Sequence, residues 1–155
     1  MGFLCGIFVL SFCLPYYSKQ KFFMALKQFL QAVDINVCFL QNNIHNIIST
    51  SKFNNTDFQH IIKSYQNYLL TKDEQIFLND INKIGILSDD DKTYISNYFL
   101  TLGHTDCDTQ TSNTKTIKQY IEQRLNNANE DIQTKAMLIQ KLAIIAGLVV
   151  FILLC

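Results

Sequence analysis

The sequence predicts an all-α protein in which a helical domain lies between two terminal membrane helices. Only one Pro and five Gly occur among 155 residues, which disfavours a turn-rich β fold. Apolar residues in the middle recur every three or four positions, as on one face of a helix, and the two ends are almost wholly apolar. We therefore predict an N-terminal membrane anchor at 1–17, a cytoplasmic bundle of four to five helices at 18–136, and a C-terminal transmembrane helix at 137–155.

The N-terminal segment has the composition of a membrane anchor. Residues 2–14, GFLCGIFVLSFCL, carry no charge, and Tyr16 and Tyr17 follow them as interfacial aromatic residues would. A cleaved signal peptide is the alternative. It would need a basic start and a small-x-small cleavage motif, and the sequence has neither. The pattern favours an uncleaved anchor.

The C-terminal segment, residues 142–155, is wholly apolar. Its fourteen residues would rise about 21 Å as a helix, less than the ~30 Å hydrocarbon core, so residues 137–139 would have to enter as well while Lys141 reaches back to the surface. A buried core helix is the alternative, but such a helix normally keeps one polar stripe and this segment has none.

Lysines flank both segments on the side of the central region, and this distribution predicts its location. They are Lys19, Lys21 and Lys27 after the first segment, and Lys135 and Lys141 before or at the start of the second. Cytoplasmic flanks carry the excess of basic residues. We expect a hairpin in which both ends cross the membrane and the central region is cytoplasmic.

The central region contains several helical patterns. An amphipathic helix is predicted at 18–48, and a second apolar stripe runs from Phe58 to Leu69. Thr71 and Glu74 have the spacing of a capping box for a third helix, and Gly85 would follow its end as a C′ glycine.

Ser88 is predicted to cap a fourth helix that continues to Gly103. Asp89, Asp90 and Asp91 would lie in its first turn, where the helix dipole favours negative charge. The polar segment 115–141 contains no helix breaker, so it can continue directly into the terminal apolar segment. We expect the first and last helices of the bundle to be continuous with the two membrane segments or hinged to them.

Composition and motifs exclude several functional classes. Thirteen basic and thirteen acidic residues give a formal charge of zero, which disfavours a nucleic-acid binder. Neither a P-loop nor a GxGxxG motif occurs. The three His are widely separated, Asp89–Asp91 lack EF-hand spacing, and the five Cys form no ligand pattern. We predict no cofactor, no metal, no small-molecule substrate and no enzyme activity.

His104, Asp106 and Asp108 form the tightest polar group in the chain. Such a group could perform acid–base chemistry. The alternative, which we favour, is structural: Gly103 ends one helix and Asp106 or Asp108 caps the next.

The stretch TLGHTDCDTQ at 101–110, together with the C-terminal apolar segment, resembles the stage III sporulation protein AB family of endospore-forming bacteria. Cys107 departs from that pattern, because family members usually carry a basic residue there. The positions that match are Leu102, Gly103, Asp106, Gln110, Gly147 and Leu148.

The resemblance implies a membrane subunit of the channel complex between mother cell and forespore, at the mother-cell face of the outer forespore membrane. It also implies a cytoplasmic fold similar to platform protein F of type II secretion, and two kinds of partner: the companion ATPase, stage III sporulation protein AA, and other channel membrane subunits. The turn containing Leu102, Gly103, His104, Asp106 and Gln110 would serve as a contact or a hinge. Two alternatives remain: an anchored adaptor of another membrane complex, and an enzyme that uses His104 and Asp106.

Overall fold

The computed structural model describes residues 2–39, 47–48, 53–102, 104 and 106–154. This part of the chain contains no strand, so the predicted all-α class is confirmed. A π-helical turn, Ile132–Ala136, joins the last two α-helices. The α-helices, in chain order, are α1 (Gly2–Phe39), α2 (Thr56–Thr71), α3 (Glu74–Asn82), α4 (Asp89–Thr101), α5 (Cys107–Asp131) and α6 (Met137–Leu154).

The N-terminal apolar segment and the first amphipathic segment form one helix. α1 begins at Gly2 and continues through Pro15 to Phe39, so the amphipathic helix predicted from about residue 18 is continuous with the apolar segment before it. Of the remainder of the predicted helix 18–48, residues 47–48 are helical and residues 40–46 lie outside the described part of the chain.

The caps of α2 and α3 differ from the sequence prediction. The predicted Thr71–Glu74 capping box is wrong, because Thr71 ends α2 and Lys72 follows it in the left-handed conformation at φ 59°. Asp73 is the N-cap of α3, and its Oδ1 accepts from the N–H groups of Gln75 and Ile76 at 3.1 and 3.3 Å. α3 already ends at Asn82, so Gly85 lies in the following turn and is not the C′ residue.

The caps of α4 and α5 agree better with the prediction. Ser88 caps α4 as expected, but α4 ends at Thr101, two residues before Gly103. Of the two predicted caps, Asp106 and Asp108, the structure has Asp106 as the N-cap of α5, which begins at Cys107. The side chain of an Asp at this position accepts a hydrogen bond from an otherwise unpaired N–H of the first turn, which favours a helix start here.

Aromatic rings form the centre of the core. Phe29 from α1 stacks on Phe99 from α4 at 5.3 Å between ring centroids, and Tyr65 from α2 meets the edge of Phe99 at 4.9 Å. Phe58 and Phe77 pack against the same group, and all five side chains are fully buried. These rings join α1, α2, α3 and α4 into one packed unit.

α1 and α5 pack against each other in antiparallel directions. Three polar pairs set their register: Asp34 Oδ2 with Lys118 Nζ at 2.6 Å, Lys27 Nζ with Glu122 Oε1 at 3.0 Å, and Gln20 Nε2 with Asn129 Oδ1 at 2.7 Å. α1 also contacts the π-helical turn and α6. The pairing therefore continues beyond Asn129 and brings the two apolar ends of the chain to the same end of the molecule.

Candidate functional site

The turn between α4 and α5, with the first turn of α5, contains the residues that were predicted from the sequence to form a contact or a hinge. Leu102 is buried; its N–H donates to the carbonyl of Tyr98 at 3.0 Å, and its own carbonyl accepts from Tyr65 Oη at 3.3 Å. Gly103 lies outside the described residues. Leu102 therefore fixes the end of α4 against α2.

Gln110, the last residue of the nominated set, also points inward. Its side chain is 2 % exposed, and Nε2 donates to Thr114 Oγ1 at 3.5 Å. Thr114 Oγ1 lies 3.2 Å from Tyr98 Oη, and burial raises the pKa of that phenol to about 12. This polar group ties the first turns of α5 to the last turn of α4.

His104 and Asp106 are the exposed members of the turn. The His104 N–H donates to the Thr101 carbonyl at 3.1 Å, and Asp106 Oδ2 accepts from the Thr109 N–H at 3.0 Å. That second hydrogen bond holds the pKa of Asp106 below its ordinary value. The capping interpretation is confirmed for Asp106, while Asp108 lies exposed in the first turn of α5.

A second polar cluster, which we call the Asp91 cluster, is buried between three helices. Asp91 is fully buried, and its Oδ2 accepts from the N–H and Oγ of Ser88 at 3.1 and 2.7 Å. Its Oδ1 accepts from Tyr120 Oη at 2.7 Å and lies 2.7 Å from Arg124 Nε. Lys19 Nζ lies 3.9 Å from Oδ2, so the carboxylate connects α1, α4 and α5.

The charge balance of the Asp91 cluster favours the ionised carboxylate. Burial alone would raise the pKa of Asp91, but the hydrogen bonds from Ser88 and Tyr120 and the charge of Arg124 outweigh it and lower the pKa. The Arg124 guanidinium also lies 5.0 Å from the centroid of the Tyr120 ring, and Tyr94 stacks on that ring at 4.3 Å between centroids. A buried charge with this many partners holds its helices in one arrangement.

The terminal helix has no comparable packing. Leu148 is 58 % exposed, and a Cβ added at Gly147 would meet nothing within 4 Å. Among the described residues, one helix, Cys107–Val149, contains a stretch long and apolar enough to cross a membrane, and none of that stretch is buried. The alternative of a buried C-terminal core helix does not fit this exposure.

The sequence model of the stage III sporulation protein AB family matches residues 1–155, the whole chain. The chain belongs to the stage III sporulation protein AB family. No curated protein and no solved structure matches it.

Membership in the stage III sporulation protein AB family implies a role in sporulation. Together with the exposed apolar helix, it also suggests membrane association. The resemblance found through the turn and the C-terminal segment is thereby confirmed for the entire chain, including the N-terminal half, where the sequence matched the family in layout alone.

The Asp91 cluster was not predicted from the sequence. Asp91 was predicted to lie in the first turn of a helix, which is confirmed, but with no partner beyond the helix dipole. Arg124 was the available signal, because it interrupts an apolar stripe between Ile121 and Leu125. A charge on the buried face of a helix requires an opposite charge nearby.

The described residues include no group of three or more His, Cys, Asp or Glu side chains arranged to hold a metal ion.

Proposed function

We propose that this chain is a non-enzymatic platform subunit of the channel complex that joins mother cell and forespore. Its two apolar ends would anchor it in the membrane at the mother-cell face of the forespore. Its central helices would dock a cytoplasmic ATPase, the companion stage III sporulation protein AA, beside other channel membrane subunits. Membership in the family supports the sporulation role.

The antiparallel pairing of α1 with α5 and α6 is the observation that carries the proposal. The Gln20–Asn129 pair is the last of the three polar pairs before the apolar ends, so both ends leave the packed helices in the same direction. A protein built in this way can enter one membrane from one side. It then presents its opposite end to the cytoplasm, where an ATPase would be.

The turn between α4 and α5 lies at that opposite end. α5 begins there, at Cys107, and continues through Lys118 and Glu122 toward the apolar helix. His104 and Asp106 are exposed on the turn, while Leu102 and Gln110 hold it in place. A rigid corner with exposed polar side chains is a suitable protein contact.

Co-purification of the full chain with the companion ATPase tests the docking step. The full chain in detergent micelles would be immobilised through a tag, and the purified ATPase passed over it. We expect stoichiometric retention of the ATPase. Absence of retention, with the helical circular dichroism of the immobilised chain intact, would contradict the proposal.

Two substitutions of Asp106 distinguish a residue that contacts the ATPase from one that only caps α5. Asp106→Asn keeps a side-chain oxygen that can cap α5 and removes the charge, whereas Asp106→Ala removes both. If the turn contacts the ATPase, Asp106→Asn and His104→Ala weaken retention with unchanged thermal unfolding. If only Asp106→Ala has an effect, and it lowers the unfolding temperature, the residue acts solely as a cap.

The family assignment speaks against an adaptor that has no connection with sporulation. The second alternative, an enzyme that uses His104 and Asp106, predicts that His104→Ala abolishes function even when the variant retains the ATPase normally. The platform function predicts normal sporulation for a His104→Ala variant that retains the ATPase normally.

A further inference from the structure

Two helical segments connect the packed helices with the apolar ends, and each has an irregular backbone hydrogen-bond pattern at the same height along the molecule. On α1 this level contains Pro15, and on the opposite side it contains the π-helical turn Ile132–Ala136. We call residues 14–17 together with 132–136 the neck. The coincidence of two irregularities in separate parts of the sequence requires a physical explanation.

The register of the polar pairs places the two irregularities opposite each other. Gln20 pairs with Asn129, and five residues further along each helix lie Pro15 and Thr134. Two independent observations agree with this placement. α1 contacts the π-helical turn directly. The pKa of Lys135 is raised mainly by its hydrogen bond to Asp131, and the nearby Tyr16 adds to that shift.

On each side of the neck, the regular i to i−4 backbone hydrogen bonds of the helix are interrupted. Pro15 has no N–H, so α1 lacks one helical hydrogen bond there, and its ring crowds the carbonyl four residues earlier. On the opposite side, the Met137 N–H donates to the carbonyl of Ile132, five residues back, as in a π-helix. Thr134 Oγ1 also donates to the Glu130 carbonyl at 2.6 Å, a type of bond that often bends helices.

The helices on the two sides of the neck differ in chemistry and in rigidity. On one side, the Asp91 cluster connects α1 and α5 to α4 through Lys19 and Arg124. On the other side, α6 exposes Leu142 and Ile145, which would be embedded in lipid. The neck therefore lies where a rigid polar unit meets the membrane.

From this juxtaposition we infer that the neck is a joint, about which the packed helices swing as one unit relative to the two membrane helices. Kinks in helices occur at proline and at π-turns, and here both occur at the same height on a pair of helices, so the pair can bend together without breaking its contacts. The joint would let a partner move the cytoplasmic unit while the anchors stay in place.

Spin-label distances in the full chain test the joint. Labels would be attached to introduced cysteines in a chain whose five native cysteines are replaced, reconstituted in nanodiscs. The pair Asn127 and Leu142 spans the neck, and the pair Ser112 and Asn127 lies within α5; each pair is separated by fifteen positions, and all three residues are exposed. Both distances should centre near roughly 22 Å plus the label length.

We expect the distribution of spin-label distances across the neck to be at least twice as wide as the distribution within α5. A variant with a straightened neck, made by Pro15→Ala with deletion of Thr134, should narrow the distribution across the neck to the width found within α5. Pro15→Ala alone should narrow it in part, and this milder variant keeps the test valid if the variant with the deletion does not fold. Thr116→Ala is the matched control: Thr116 Oγ1 donates to the Ser112 carbonyl at 3.0 Å inside α5, and its loss should leave both widths unchanged.

Equal widths for the two pairs in the unmodified chain would overturn the joint. So would a wide distribution that neither neck variant narrows, because its width would then originate elsewhere. Neither outcome bears on ATPase retention, so the joint and the platform function can fail separately.

Discussion

The packed helices and the terminal helix contain the same kinds of apolar side chain in opposite surroundings. Phe22, Phe29 and Phe99 are 0 % exposed, while Leu142 and Ile144 in α6 are 57 % and 65 % exposed. The difference follows from the sequence pattern: α4 and the part of α1 after Ser18 place polar residues between the apolar ones, whereas α6 is apolar on every face after Lys141. Stability of the fold should therefore depend on the first group and membrane retention on the second.

Phe99→Ala should produce the largest loss of stability. Its ring contacts Phe29, Tyr65 and Phe77, so its removal leaves a cavity in the core. We expect the free energy of unfolding to fall by about 4 kcal/mol. Chemical unfolding of the full chain in micelles, followed by circular dichroism, measures it.

Leu148→Ala is the matched comparison for Phe99→Ala, and we expect a change below about 0.5 kcal/mol in the same measurement. Equal effects of the two substitutions would mean that α6 packs as a core helix, and the contrast between the two regions would be lost.

Asp91→Asn should rank second. The substitution removes the negative charge that Lys19 and Arg124 face in the Asp91 cluster, and we expect a loss of about 3 kcal/mol. Asp90→Asn, in the same turn of α4 but exposed, serves as the control and should change stability by less than about 0.5 kcal/mol. A small effect at Asp91 would show that the cluster does not hold the three helices together.

Lowering the pH should remove the stabilisation that the Asp91 carboxylate gives to the folded state. Its pKa is lowered in the folded chain, so the folded state keeps the carboxylate ionised where the unfolded chain begins to protonate it. The stabilisation is fully present above the unfolded pKa of about 4 and is lost as the pH falls through the lower, folded value. The stability difference between the unmodified chain and Asp91→Asn should be constant from pH 7 to 5 and shrink below about pH 4. A difference that is independent of pH down to 2 would contradict the assignment.

Glu122→Gln should have the smallest effect. Glu122 pairs with Lys27 at 3.0 Å, but both side chains are more than one-third exposed. Exposed ion pairs contribute below about 1 kcal/mol, and added salt screens them. Unfolding at low and high salt measures the contribution of the pair. A loss comparable to that of Asp91→Asn would show that this polar pair fixes α1 against α5 as strongly as the Asp91 cluster does.

The sequence predicted the elements that depend on local chemistry. The helical class followed from the three- and four-residue spacing, and the caps Ser88 and Asp106 followed from their position before a helical stripe. The contacts between distant residues did not follow. Lys19 and Arg124 reach Asp91 from helices that are far apart in sequence, and no local pattern specifies such a meeting.

Within the turn predicted as a contact or hinge, the orientation of the side chains did not follow from the sequence. Leu102 and Gln110 are buried and structural, while His104 and Asp106 face outward. Gln110 is polar and lies near the start of α5, and nothing in the sequence around it indicates burial. Its burial depends on Tyr98 and Thr114, which only the packing of α4 on α5 brings together. The π-helical turn Ile132–Ala136 likewise did not follow from the sequence, because residues 115–141 contain no helix breaker, whereas Pro15 is visible as the one Pro of the chain.

The topology of the chain is tested most directly by cysteine labelling in intact sporulating cells with a reagent that cannot cross the inner membrane. Cys107 is exposed at the start of α5, at the end of the packed helices opposite the apolar termini. It would be compared with a cysteine introduced before the first apolar segment, each in a chain without other cysteines. We expect labelling of the N-terminal site alone, and labelling of Cys107 only after the cells are permeabilised. Labelling of Cys107 in intact cells would place the packed helices outside the cytoplasm and contradict docking to a cytoplasmic ATPase.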